Sequence, residues 1–286
     1  MNTLELQMVE LLSDLKQHYH VTGIKAEFEA EGTRLEEAMR LKDITSKAGL
    51  PLSIKIGGCE AVKDMFDVVS LGAKSIIAPM VETPYALQKF IRSAQFVYGD
   101  MLNQVELLIN VETKTAFTNF TEMLNVPEIK FLNGIVIGRV DMVGSLQLGR
   151  DQINSDTILK MALTLAAKAK EHKLSVIVGG GVSVDSIPFF KAFPADHLNR
   201  FETRKVIFNC PAAVNNPEEA FIKAVQFELM WLNNKRNYYR AIAREDDERI
   251  ILMENRYKNS LEKLRNKSSL TDYQPAIDLL THPQEA

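Results

Sequence analysis

Residues 134–141 read GIVIGRVD: five apolar or glycine positions in a row, then an arginine, a valine and an aspartate. A strand that is apolar on both faces belongs in the middle of a parallel sheet, where helices cover it from outside. Working outward, residues 75–81, SIIAPMV, repeat the pattern. Further short β-rich runs occupy 23–29, 52–57, 105–112, 174–180 and 205–209. Most are followed by a turn and then a helical stretch. Thr33 and Glu36 form a capping-box pattern ahead of Leu35, Ala38, Leu41 and Ile44, and Gly49 with Pro51 ends that helix. Ile158, Met161, Ala162, Leu165 and Ala169 make another helical stripe. This alternation predicts a TIM-like (β/α)8 barrel, for which about 250 residues is usual. Seven strands are countable, so the eighth is missing, atypical or hidden in a segment that reads as loop. An open doubly wound sheet is the alternative.

The same reading divides the 286 residues into four parts. An amphipathic helix over 1–22 precedes the barrel at 23–216. A helical extension over 217–267 is expected to pack on the barrel or on a neighbouring subunit, and 268–286 reads as a loosely held tail. The extension carries Phe221, Val225, Met230 and Leu232, more apolar surface than one barrel needs, so a homo-oligomer is expected. With 46% hydrophobic and 25% charged residues the chain can bury a full core. A net charge of −3 gives no general attraction to nucleic acid or to an anionic membrane, and no apolar run is long enough to span one. Cys59 and Cys210 have neither disulfide-framework nor metal spacing, which fits a reduced, cytoplasmic setting. No Ser-His-Asp order or zinc pattern occurs.

Reacting groups of an α/β barrel stand where its strands end. Those positions hold Glu27 and Glu29, Lys55, Glu82, Glu112, Arg139 and Asp141. Glu27 or Glu29 is a candidate for proton transfer, Lys55 for substrate charge, and Arg139 for an anion. VIVGGGVSVDSI, residues 176–187, places Gly180, Gly181 and Ser183 where backbone N–H groups and a hydroxyl can hold a phosphate or carboxylate. A tight turn with no ligand is the other reading. In FETRKVIFN, residues 201–209, the charges Glu202, Arg204 and Lys205 precede the last strand. That is the stability end of a parallel barrel, so a structural role is expected for them.

LLINVETKTAFTNFTEML (107–124) and LNGIVIGRVDMVGSLQLG (132–149) resemble the paired signature of the HpcH/HpaI aldolase–citrate lyase family. In that family one strand ends in glutamate, and the next ends in Gly-x-x-Asp-Leu before Ser-Leu-Gly. GLPLSIKIGGCEAVKDMFDVVSLGAKSIIAPMVET (49–83) resembles the two preceding strands, and the likeness covers about 23–182. The resemblance implies a phosphoenolpyruvate/pyruvate-type barrel with a divalent metal, Mg²⁺ or else Mn²⁺, held by Glu112 and Asp141. A hard cation with two protein carboxylates keeps positions for a 2-oxo acid or acyl-CoA substrate, whose enolate it stabilises. The implied activity is a metal-dependent carbon–carbon lyase or aldolase acting on a small molecule. Two departures stand out. Lys55 replaces the family's usual arginine, and Glu29-Ala30-Glu31 stands where the aldolase branch tends to have Glu-His. None of His18, His20, His172, His197 and His282 sits at a strand end to replace that histidine. Other chemistry of the same superfamily, or a barrel that binds without turnover and serves in assembly, are the alternatives.

Overall fold

The computed structural model describes residues 1–215 and 217–265, so the tail predicted at 268–286 lies outside the described residues. Strands β1 (Val21–Glu27), β2 (Leu52–Lys55), β3 (Ser75–Ala78), β4 (Glu106–Val111), β5 (Gly134–Gly138), β6 (Ser175–Gly179), β7 (Arg200–Glu202) and β8 (Val206–Asn209) close into one barrel in chain order. The atypical eighth element is therefore a pair of short strands where the sequence shows one. β7 has only three residues, with Phe201 between two charges, which is too little pattern to read as a strand.

β1 to β7 are all parallel to their neighbours, but β8 runs antiparallel to both β7 and β1. The cause is the connection. Only Thr203, Arg204 and Lys205 separate the last two strands, and a parallel crossover needs a dozen residues or more. The Thr203 N–H donates to the Val206 carbonyl at 2.9 Å, and the Val206 N–H donates to Thr203 Oγ1 at 3.1 Å. The hairpin reverses the chain, so the start of β8 lies at the C-terminal mouth of the other strands. The expectation that Glu202, Arg204 and Lys205 sit at the stability end is overturned for this reason.

Helices α1 (Thr3–His18), α2 (Leu35–Lys47), α3 (Val62–Leu71), α4 (Pro84–Tyr98), α5 (Lys114–Leu124), α6 (Arg139–Ser145), α7 (Asp156–Glu171) and α8 (Ile187–Lys191) pack outside. α1 starts with a capping box in which the Glu5 N–H donates to Asn2 Oδ1 (2.9 Å) and the Asn2 N–H to Glu5 Oε2 (2.8 Å). In α2 the first turn closes through the Arg34 N–H and Glu37 Oε2 at 3.2 Å, one residue later than the Thr33–Glu36 pattern indicates. α9 (Pro217–Arg265) begins by covering the hairpin. Phe221 lies 5.9 Å from Phe201 and 5.8 Å from Phe208, which stack on each other at 5.1 Å, and Phe190 of α8 stacks on Phe201 at 4.6 Å. The chain divides into two compact units, Met1–Leu232 and Asn233–Ala286. The described part of the second unit is the remainder of α9, where Ile250, Ile251, Leu252 and Met253 are exposed.

Inside the barrel the residues alternate by strand parity. Ile77, Leu108, Val136 and Ile177, one from each of β3 to β6, make a small apolar plug. On β1, β2 and β7 the inward positions near the mouth are Lys25, Glu27, Lys55 and Glu202, all buried. One side of the interior is dry and the other is charged.

Candidate active site

A cavity of about 900 Å³ opens at the mouth. Glu27, Glu29, Lys55, Asp141, Gly180, Gly181 and Ser183 all line it, so seven of the nine site residues expected from sequence meet there. Glu112 and Arg139 do not line it, and they differ from each other in kind.

Glu112 follows β4 and is 1% exposed. Its Oε1 accepts the Met80 N–H at 3.0 Å, its Oε2 accepts Asn110 Nδ2 at 2.7 Å, and Lys55 Nζ lies 4.0 Å from Oε2. Burial pushes its carboxyl above the usual range, and the charge of Asp141 pushes the same way, against Lys55 and the two donors. Gly138 leaves the room for it, since a Cβ there would lie 2.6 Å from Glu112 Oε2. Asp141 is exposed in the first turn of α6. A buried carboxylate with a raised pKa and a second acid acting on it fit a divalent cation. Among the described residues no group of three or more His, Cys, Asp or Glu could hold a metal, which argues against a closed protein cage. Two carboxylates with the remaining positions left to oxygen ligands suit a hard ion such as Mg²⁺.

Lys55 stands between two acids. Its Nζ is 3.0 Å from Glu29 Oε2, not aligned as a hydrogen bond, and 4.0 Å from Glu112. Burial opposes its charge, yet Glu112, Glu29 and Glu27 together hold the ammonium above its usual pKa. One residue pair along β1, Lys25 plays a different part. Its Nζ donates to Glu202 Oε1 at 2.6 Å and lies 3.1 Å from Glu27 Oε1. Burial disfavours that charge too, but the two carboxylates raise its pKa strongly. For Glu27, burial is outweighed by Lys25, with Lys55 and Arg204 adding to it, and the carboxyl is held below its usual value.

Arg139, expected to bind an anion directly, does not reach the cavity. Its side chain is wholly buried. Nε donates to the Gly179 carbonyl (3.2 Å), Nη2 to the Gly180 carbonyl (2.9 Å) and Ser186 Oγ (3.1 Å), and Nη1 to Asn154 Oδ1 (2.5 Å). Burial brings its pKa down to about 10. Four of its five N–H donors are spent on the back of the glycine turn, Asn154 and Ser186, and the guanidinium does not line the cavity.

Sequence reading missed Lys25, Asn110, Glu202 and the hairpin charges. Lys25 and Asn110 each stand two residues before a recognised acid and so share its face of the strand, a parity signal that was available. Lys205 pairs with Glu31, and Arg204 lies within 3.8 Å of Glu31 and Glu228 while lining the cavity. Nothing local marks these as mouth residues, because their place depends on the reversal of β8.

No match was found among the curated proteins. Solved structures share the architecture at low identity. An HpcH/HpaI aldolase/citrate lyase family protein from Burkholderia cenocepacia superposes with a TM-score of 0.57 at 13% identity, covering 84% of this chain and 90% of that one. An HpcH/HpaI aldolase from Desulfitobacterium hafniense gives 0.56 at 11%, covering 71% and 82%. The citrate synthase SbnG gives 0.54 at 14%, covering 70% and 81%. At such identities the likeness concerns the fold. The sequence adds a finding of its own: residues 47–180 match the family model described as HpcH/HpaI aldolase/citrate lyase, the family to which this chain is similar.

Proposed function

We propose that the mouth is the active site of a divalent-metal-dependent carbon–carbon lyase or aldolase acting through the enolate of a 2-oxo acid or an acyl-CoA. The observation that carries this reading is Glu112: a carboxylate that burial and the nearby Asp141 push toward protonation against the pull of Lys55, beside a cavity large enough for a drug-sized ligand. Glu112 and Asp141 would hold the ion. When bound, Mg²⁺ or Mn²⁺ supplies Lewis-acid stabilisation of negative charge developing next to the carbonyl. Lys55 contributes a fixed positive charge for the substrate's anionic end, as a point charge and not a planar fork. Glu29 positions that ammonium and offers a carboxylate oxygen for proton transfer. Glu27, held ionised by Lys25, keeps the floor of the mouth in place. Gly180, Gly181 and Ser183 offer donors for a carboxylate.

Arg150 and Arg204 also line the cavity, Arg150 in no ion pair among the described residues and Arg204 only at 3.8 Å from Glu31 and Glu228, which suits an anionic small molecule. No described helix is long and apolar enough to cross a membrane. Both cysteines are free, in keeping with a reduced cytoplasmic setting. Exposed Ile222, Val225, Leu229 and Leu232 recur at three- and four-residue steps along α9, a pattern fit for a second copy of the chain.

The test is substrate profiling. Purified protein is offered 2-oxo acids with aldehydes, and acyl-CoA thioesters, in Mg²⁺ and in Mn²⁺. Metal-dependent formation or cleavage of a carbon–carbon bond supports the assignment. Tight metal and 2-oxo acid binding with no turnover of any candidate would favour a binding or assembly subunit. That second reading draws on one feature: no histidine lines the cavity among the described residues.

A further inference from the structure

Arg139 presents a physical problem. It heads the largest wholly buried side chains, yet among the described residues no carboxylate lies within ion-pair distance of it. A buried charge without a counter-ion is costly unless something compensates. Part of the compensation is visible. The guanidinium lies 4.9 Å and 5.5 Å from the ring centroids of Phe189 and Phe190, and its donors meet two glycine carbonyls, Asn154 and Ser186. None of these partners carries a negative charge, so the site keeps a net positive one.

The carbonyl bonds have a geometric consequence. In a trans peptide the C=O and the following N–H point in opposite directions. With the Gly179 and Gly180 carbonyls drawn onto Arg139, the N–H groups of Gly180 and Gly181 are turned the other way. Both residues line the cavity, and neither N–H meets a protein acceptor among the described residues. The turn could take no other residues easily. Gly180 and Gly181 have φ of 78° and 63°, and a Cβ on Gly180 would lie 2.7 Å from the Val140 nitrogen. Of the other cations deep in the mouth, Lys25 is clasped by Glu202 and Glu27, and Lys55 is shared between Glu29 and Glu112, so each has carboxylate partners where Arg139 has none.

We propose that Arg139 is a positioning residue for a carboxylate-binding turn: from the buried side it aims the N–H groups of Gly180 and Gly181 into the mouth and supplies the unneutralised charge that a substrate carboxylate balances. The proposal rests on the mouth being a substrate site, and it assigns Arg139 no contact with substrate.

The test compares pyruvate with pyruvamide, its uncharged near-isostere, by calorimetry in saturating Mg²⁺, with the affinity for Mg²⁺ alone measured beside it. Wild type should prefer the anion. Arg139→Met should lose about tenfold or more of its pyruvate affinity, with pyruvamide and Mg²⁺ affinities unchanged. Arg139→Ala should recover preference for pyruvate when millimolar guanidinium ion is added. If Arg139→Met does not fold, Arg139→Lys carries the comparison: one ammonium cannot grip both carbonyls, so the preference should shrink. An unchanged pyruvate preference in every folded variant would overturn the proposal while leaving the functional reading intact. So would parallel loss of both ligands, which indicates general collapse of the mouth. Wild type that binds neither ligand would overturn the functional reading, and this proposal with it.

Discussion

Two lysines on adjacent strands face the same barrel interior and end in opposite situations. Lys25 is clasped by Glu202 at 2.6 Å and Glu27 at 3.1 Å, and both members of the Lys25–Glu27 pair are shifted toward their charged forms. Lys55 is held more loosely, at 3.0 Å from Glu29 and 4.0 Å from Glu112, and Glu112 is shifted toward its neutral form. The first cluster is electrostatically closed and leaves little for a ligand to improve. The second is open: its buried acid is under-compensated, and a cation would relieve it. Glycines show the same asymmetry. A Cβ on Gly138 would stand 2.6 Å from the Glu112 carboxylate, whereas one on Gly179 would stand 3.2 Å from that of Glu202. Both acids lie against a glycine of a neighbouring strand, Gly138 of β5 for Glu112 and Gly179 of β6 for Glu202, but Glu112 sits closer to its glycine.

The largest effect should fall on the open cluster. Glu112→Gln or Asp141→Asn should abolish the rise in melting temperature that Mg²⁺ gives wild type, since an ion that binds only the folded state stabilises it. Glu112→Gln should leave the metal-free protein no less stable, because it removes a buried, poorly compensated charge. An undiminished Mg²⁺ effect in both variants would place the metal elsewhere.

Exchanging the lysines sharpens the contrast. Lys25→Met strands two buried carboxylates and should cost about 3–5 kcal/mol in urea denaturation. Lys55→Met should cost less, about 1–2 kcal/mol, while turnover falls by orders of magnitude. If the two variants lose stability equally, the distinction between closed and open clusters fails. Lys55→Arg asks whether the mouth accepts the fork found in the family; better binding of a 2-oxo acid would say that it does.

Smaller effects should come from the glycines. Gly138→Ala should destabilise by about 1–3 kcal/mol through overpacking and weaken Mg²⁺ binding, with Gly179→Ala clearly milder in both. The smallest is a pH effect. Glu27 has its folded pKa lowered, so the stability it contributes is present above the ordinary carboxylate value of 4.5 and is lost as pH falls through the lower folded value. Denaturation midpoints of wild type and Glu27→Gln should therefore differ at neutral pH and converge by about pH 2. A constant gap across that range would show that Glu27 acts by packing and not by charge.

The legible part of this protein was local. Apolar runs such as 75–81 and 134–138 announce strands covered on both faces, and the charged residues that follow them announce a mouth, because strand direction is fixed within each run. Seven candidate residues could thus be placed on one cavity from sequence, and the family signature around Glu112 and Asp141 is likewise a matter of short spacing. Direction failed to transfer once. Three residues between β7 and β8 forbid a crossover, and the reversal that follows moved Glu202, Arg204 and Lys205 to the mouth. β7 itself is too short to show a period, so the hairpin could not be foreseen.

What only the tertiary structure decided is how the charges are matched. Lys25 and Glu202 are 177 positions apart, and Arg139 meets the 179–180 turn and Ser186 across 40 to 47 positions. A sequence states which residues can be charged and which end of a strand they occupy. Whether a charge ends up clasped, open or buried without a counter-ion depends on which strands become neighbours when the barrel closes. Coulomb energies at a few ångströms are set by that closure and by the water it excludes, and no local spacing records either.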